Sequence, residues 1–278
     1  MNIFLNIAEN PFLQNAVIGA ALIGFANGFF SGFVNLRRNA LSVSALSHTM
    51  LPGIAVAILI TQELTQANAF IGALFACLSV GLGSTVVSRN SRIHQDTALS
   101  IIYTTAFAIG IALLPHLPVA TSIHDWLFGN IIHISEQDLN LVFVVSAITL
   151  VLSNLFMRPM LLTLFEPNVA AAQGVPTRCM QYLSFTLLIC MLVTSLQAVG
   201  TILSVGLLVA PAAIMLLYTD RSSYIFWGGA IIGSITSVAG IFVAQLIDIQ
   251  AGPAIIILLG TIFLLSFLLS PRHGVLKK

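Results

Sequence analysis

Residues 181–219 read QYLSFTLLICMLVTSLQAVGTILSVGLLVAPAAIMLLYT, thirty-nine consecutive positions without a charged side chain. A helix rises about 1.5 Å per residue, so roughly 20 apolar residues cross about 30 Å of hydrocarbon. This run is too long for one crossing and long enough for two, 181–199 and 201–219, hinged only at Gly200. Broken or re-entrant helices remain the alternative within it. Working outward, seven more apolar runs follow the same rule: 16–36, 41–61, 69–88, 97–115, 139–157, 223–246 and 254–270. The expectation is an all-α polytopic bundle of about nine membrane spans, eight to ten allowed. Too little sequence lies outside the spans for a second domain, so 1–278 reads as one transmembrane domain.

Composition agrees. Hydrophobic residues make 58% of the chain and charged residues 7%, against about 25% charged in soluble proteins. Mean hydropathy is +1.03. That excludes a soluble enzyme and a disordered chain, and a net charge of +1 offers no basic field for nucleic acid. The three cysteines, Cys77, Cys179 and Cys190, form no close pair and read as small buried hydrophobes. The only lysines are Lys277 and Lys278, so no Walker A loop is present. No Lys or Arg precedes Arg37, which argues against a signal peptide with a basic start.

Nine alternating crossings starting outside place all ten basic residues on one side. The positive-inside rule makes that side cytoplasmic, with the N-terminus outside and the C-terminus inside. Six of the nine acids fall opposite: Glu9, Glu63, Asp125, Glu136, Asp138 and Asp248.

Two connections are long. Residues 116–138 lie outside and carry His116, His124, Asp125 and His133, a set able to collect metal at an entrance or simply to stay solvated. Asp125-Trp126-Leu127-Phe128 suits the headgroup level. Residues 159–180 lie inside, and Glu166-Pro167 begins like a helix, with Pro in the first turn and an acid at the positive dipole end. Ala170, Ala171 and Ala172 continue it; Gly174 and Pro176 stop it. Gly24, Gly28 and Gly32, and again Gly229 and Gly233, line single helix faces for close packing, within the chain or between two copies.

Polar groups at mid-depth are few. His48 lies ten residues beyond Arg38, about 15 Å deep. Ser44 precedes it by one turn. Asn27, ten residues before Arg37, and Pro211, ten before Arg221, lie at similar depth. Pro211 can leave the Leu207 carbonyl without its helical donor. One reading is a midplane cation path with His48 as nitrogen ligand, and Ser44 and Asn27 beside it. The other is a buried histidine bonded to a neighbouring helix, with Asn27 as interhelical glue.

Taken together the segments resemble a known family. LRRNALSVSALSHTMLPGIAVAIL (36–59), DWLFGNIIHISEQDL (125–139), FEPNVAAAQGVPTR (165–178), LQAVGTILSVGLLVAPAAIMLLYTDR (196–221) and LLSPRHGVLKK (268–278) resemble, in order, motifs of the permease subunits of metal-importing ABC transporters, the manganese, zinc and iron type. The resemblance implies a bacterial inner-membrane permease that pairs with a second permease copy. It implies two cytoplasmic ATPases that use ATP, an external metal-binding protein, and a divalent metal as cargo rather than a prosthetic group. The chain itself would be no enzyme. Residues 165–176 would be the coupling helix, with Glu166, Pro167, Ala171 and Gly174 at matched positions. His124 and Asp125 would stand at the entrance.

One departure matters. Where the family pattern has an Asp four residues before the His, this chain has Ser44. A hydroxyl is a weaker ligand, and its loss should hurt manganese more than zinc, which tilts the reading towards zinc. An ion-coupled secondary transporter is the alternative, although no acid lies deep in a span to relay protons. An intramembrane metalloenzyme would need a His-Glu-x-x-His or paired carboxylates, and neither occurs.

Overall fold

A computed structural model describes residues 11–63, 65–116 and 134–270. Among them the regular structure is helical: α1 (Pro11–Leu36), α2 (Ala40–Thr61), α3 (Gln66–Asn90), α4 (Gln95–Leu113), α5 (Glu136–Leu155), α6 (Met157–Phe165), α7 (Pro167–Ala172), α8 (Thr177–Val199), α9 (Thr201–Leu216), α10 (Ser222–Ile247) and α11 (Ala251–Leu269). Eight of these are long and apolar enough to cross a membrane, and α9, at 16 residues, is a ninth, shorter apolar helix. The nine apolar runs therefore each correspond to a helix. Gly200, at φ +83°, divides α8 from α9, a backbone setting that glycine adopts without steric cost.

The interior stretch after α5 holds more helix than the sequence suggested. Residues 159–165, read from the sequence as connection, belong to α6. Pro159 falls in its first turn, where a missing N–H costs nothing, and the following Met-Leu-Leu favours helix.

The chain divides into two compact units. Of the described residues, the first takes 11–40, 134–146 and 194–270. Its core gathers Ile23 of α1, Val142 of α5, Leu203 and Leu207 of α9, Ile241 of α10 and Ile255 of α11. Here α1 and α10 meet backbone to backbone: a Cβ at Gly24 would strike the Gly233 carbonyl, and one at Gly28 the Gly229 carbonyl. Both glycine sets found in the sequence thus serve packing within the chain. Next to this crossing Phe29 and Phe33 of α1 meet Phe226 of α10, with ring centroids 5.2 and 4.5 Å apart.

Of the described residues, the second unit takes 41–63, 65–116 and 147–193. It repeats the device: Gly53 of α2 and Gly72 of α3 each lie where a Cβ would strike the other's carbonyl. Gly110 of α4 rests on Leu51 and Pro52 of α2. Cys77 of α3 is buried and donates its thiol to the Leu46 carbonyl at 3.4 Å, as a small apolar residue with a weak donor would. Cys179 is exposed instead, because it stands in the first turn of α8.

Candidate functional site

Helix α2 carries the residues on which the cation-path reading depends. His48 is exposed in the chain taken alone, Ser44 one turn earlier is half-buried, and Leu41, Val56 and Ile60 continue the exposed stripe. His48 takes no hydrogen bond from the described residues; its ring meets the edge of Phe107 of α4, centroids 5.8 Å apart. It is therefore not the buried, bonded histidine that ordinary packing would give. The neighbouring Ser47 and Thr49 are buried and turn their hydroxyls back onto the helix, to the Ser44 carbonyl at 2.7 Å and the Ala45 carbonyl at 3.2 Å. That satisfies them locally and leaves His48 as the polar group presented outward.

Asn27 belongs to the first unit, on α1, and is fully buried. Its Oδ1 accepts from the Ser195 hydroxyl of α8 at 2.9 Å, and its Nδ2 has no partner among the described residues. This bond ties α1 to the end of α8 in the manner of interhelical glue. Two residues that sequence reading passed over bond the backbone on either side of Pro211. Ser31 Oγ accepts from the Ala212 N–H at 3.0 Å, and Asn35 Nδ2 donates to the Val209 carbonyl at 2.7 Å and to the Ser31 carbonyl at 2.9 Å. Their signal was present: Asn27, Ser31 and Asn35 recur every four residues on one face of α1, beside the glycines. Just beyond α1, burial holds the Arg37 guanidinium down to about 10, so it stays cationic at neutral pH.

The segment matched to a coupling helix forms as expected. Pro167 takes the first position of α7 and Glu166 its N-cap position. The end is a Schellman arrangement: Gly174 has φ +78°, its N–H donates to Ala171, and the Val175 N–H donates to Ala170, both at 3.0 Å. Ala170 is buried, whereas Phe165, Glu166, Pro167, Val169, Ala171 and Gly174 are exposed. A short helix thus presents apolar surface outward. The entrance candidates His124 and Asp125, with His133, lie outside the described residues. Among the described residues no three His, Cys, Asp or Glu side chains cluster as a closed metal site.

The model of one protein family, described as the ABC 3 transport family, matches residues 9–270. The chain belongs to that family. It is similar to the manganese transport system membrane protein MntC of Halalkalibacterium halodurans, 36% identical over 99% of this chain and 93% of that one. It is also similar to the manganese import system permease protein ScaB of Streptococcus parasanguinis, 34% identical over 94% of this chain and 92% of the relative. Among solved structures, PsaBC from Streptococcus pneumoniae in complex with Fab matches at a TM-score of 0.85 and 33% identity, covering 99% of this chain and 97% of that one. This member of the ABC 3 family is a membrane-spanning transport subunit of an ABC importer, and ATP hydrolysis belongs to a separate subunit. The secondary-transporter and metalloenzyme readings fall with that assignment.

Proposed function

We propose that this permease carries a divalent transition metal into the cytoplasm, with manganese as the leading cargo, and that His48 and Ser44 line its path. One observation carries the reading: His48 lies at mid-span depth on α2, exposed and without a hydrogen bond from the described residues. A polar group in hydrocarbon is costly, so such a side chain faces a water-filled route or another protein surface. Sparse ligation suits passage, since conduction needs binding weak enough to release. The relatives named for manganese favour that metal. Zinc is the second reading, favoured by imidazole at His48 and by the lack of a carboxylate at position 44. Asn27 enters as the residue that fixes α1 at this depth, because its oxygen already accepts from Ser195.

In this reading the two units form one permease domain in the bacterial inner membrane, N-terminus outside, paired with a second permease copy. The exposed α7 turn, with Glu166, Pro167, Ala171 and Gly174, docks on a cytoplasmic ATPase. An external metal-binding protein delivers cargo near His124 and Asp125. The distribution of the basic residues supports this orientation.

The test is uptake of labelled manganese and zinc by cells expressing the whole transporter, native against His48→Ala. Loss of manganese uptake supports the path and the cargo. Loss of zinc uptake alone moves the cargo to zinc. Native-level uptake of both metals by the variant removes His48 from the path.

A further inference from the structure

A dication passing an imidazole and a hydroxyl meets no negative charge, and α2 carries none. Among the described residues of the second unit, one carboxylate stands on a membrane-length helix: Asp96, in the first turn of α4. Its Oδ1 accepts from the Ser42 hydroxyl at 3.1 Å, and Ser42 is only 2% exposed, so this contact pins the carboxylate against α2. Asp96 itself is exposed, and its second oxygen takes no hydrogen bond from the described residues. A carboxylate offers about four acceptor sites, so most of its capacity for a cation is unspent.

Position along the seam connects this group to His48. Asp96 and Phe107 are eleven residues apart on α4, three turns along one face. Asp96 touches α2 at Ser42, and Phe107 touches it at His48. Ser42 and His48 are six residues apart, roughly 9 Å of helix. The α2–α4 seam therefore has an imidazole at mid-depth and, about 9 Å nearer the basic end as measured along α2, an open carboxylate carried by α4.

Resting on the transport reading above, we propose that Asp96 is the hard oxygen ligand of this permease: a specificity-determining residue that receives the cation from His48 and favours manganese over zinc. Oxygen ligands suit manganese, whereas imidazole alone favours zinc. A purely structural Asp96 would act as a dipole-compensating acid and a latch on Ser42.

The two roles separate in proteoliposomes holding the complete transporter, by comparing initial uptake of manganese and zinc at equal concentrations. Asp96→Asn keeps the shape and the bond to Ser42 but removes the charge, and is expected to lower the manganese-to-zinc ratio at least tenfold. Ser42→Ala removes the latch but keeps the charge, and is expected to lower the ratio several-fold less than Asp96→Asn does. Ser44→Asp added to Asp96→Asn is expected to recover manganese uptake by restoring a carboxylate one turn from His48. An unchanged ratio in Asp96→Asn, or an equal fall in Ser42→Ala, overturns the assignment. Native transporter that moves neither metal overturns the transport reading itself, a result visible before any variant is made.

Discussion

Replacing Gly28 by alanine is the sharpest test of how the first unit is held together. The added Cβ would lie 3.0 Å from the Ala230 Cα and nearer still to the Gly229 carbonyl. Ordinary carbon contacts need about 3.5–4.0 Å, so α1 and α10 must part locally by roughly 1 Å at the added carbon. Overpacking of this kind costs about 1–3 kcal/mol. Against it stands a gain in helix propensity of about 0.8–1.0 kcal/mol. Gly83→Ala supplies the control, since a Cβ there meets nothing within 4 Å and only the gain remains. The two variants should differ by about 1–3 kcal/mol, with opposite effects on stability. Trp227, 5.3 Å from Phe29 across the same crossing, reports the event directly. Unfolding by SDS in mixed micelles, followed by its fluorescence in a Trp126→Phe background, gives the number. Equal stability of the two alanine variants would refute backbone contact at this crossing.

Other outcomes follow from the same structure. Ser31→Ala strands the Ala212 N–H beside Pro211 and should cost about 1–2 kcal/mol in the same titration, whereas Ser31→Thr keeps an acceptor and should cost less. Gly174→Ala has open space around it but inherits φ +78°; the strain of about 1–2 kcal/mol should appear as faster amide exchange at Val175, with the rest of the chain unaffected. Ala171→Trp places a bulky ring on exposed α7 without touching the core, and under the docking proposal it should abolish coupling of ATP hydrolysis to uptake while folding stays native. Coupled uptake at the native rate would remove Ala171 from the docking surface.

The spans were legible because hydrocarbon thickness sets a length that sequence can be measured against. Helix α7 was legible because Pro167, the alanines and Gly174 are local signals. The neighbouring α6 was missed because its nine residues are shorter than a span and carry a proline at the third position. The glycine rows announced close packing, but which row meets which is a property of the tertiary fold. So too is the repair at Pro211: the proline was visible, while the side chains that bond the backbone beside it, Ser31 and Asn35, lie on α1, far off in sequence. His48 was singled out from depth alone, and its exposure on α2 could come only from the structure. Asp96 was present as one of three acids on the basic side, and nothing in its spacing revealed the bond to Ser42.

The repair of Pro211 also constrains how the chain is made. Asn35 and Val209 are 174 residues apart, and Ser31 and Ala212 are 181 apart. During synthesis α1 enters the bilayer first, and its serine and asparagine have only their local bonds, to the Gly28 and Ser31 carbonyls, while most of the polypeptide follows. Helix α9, short and interrupted, enters late and gains its missing partners only on reaching α1. Closure of the first unit is thus a final, long-range event.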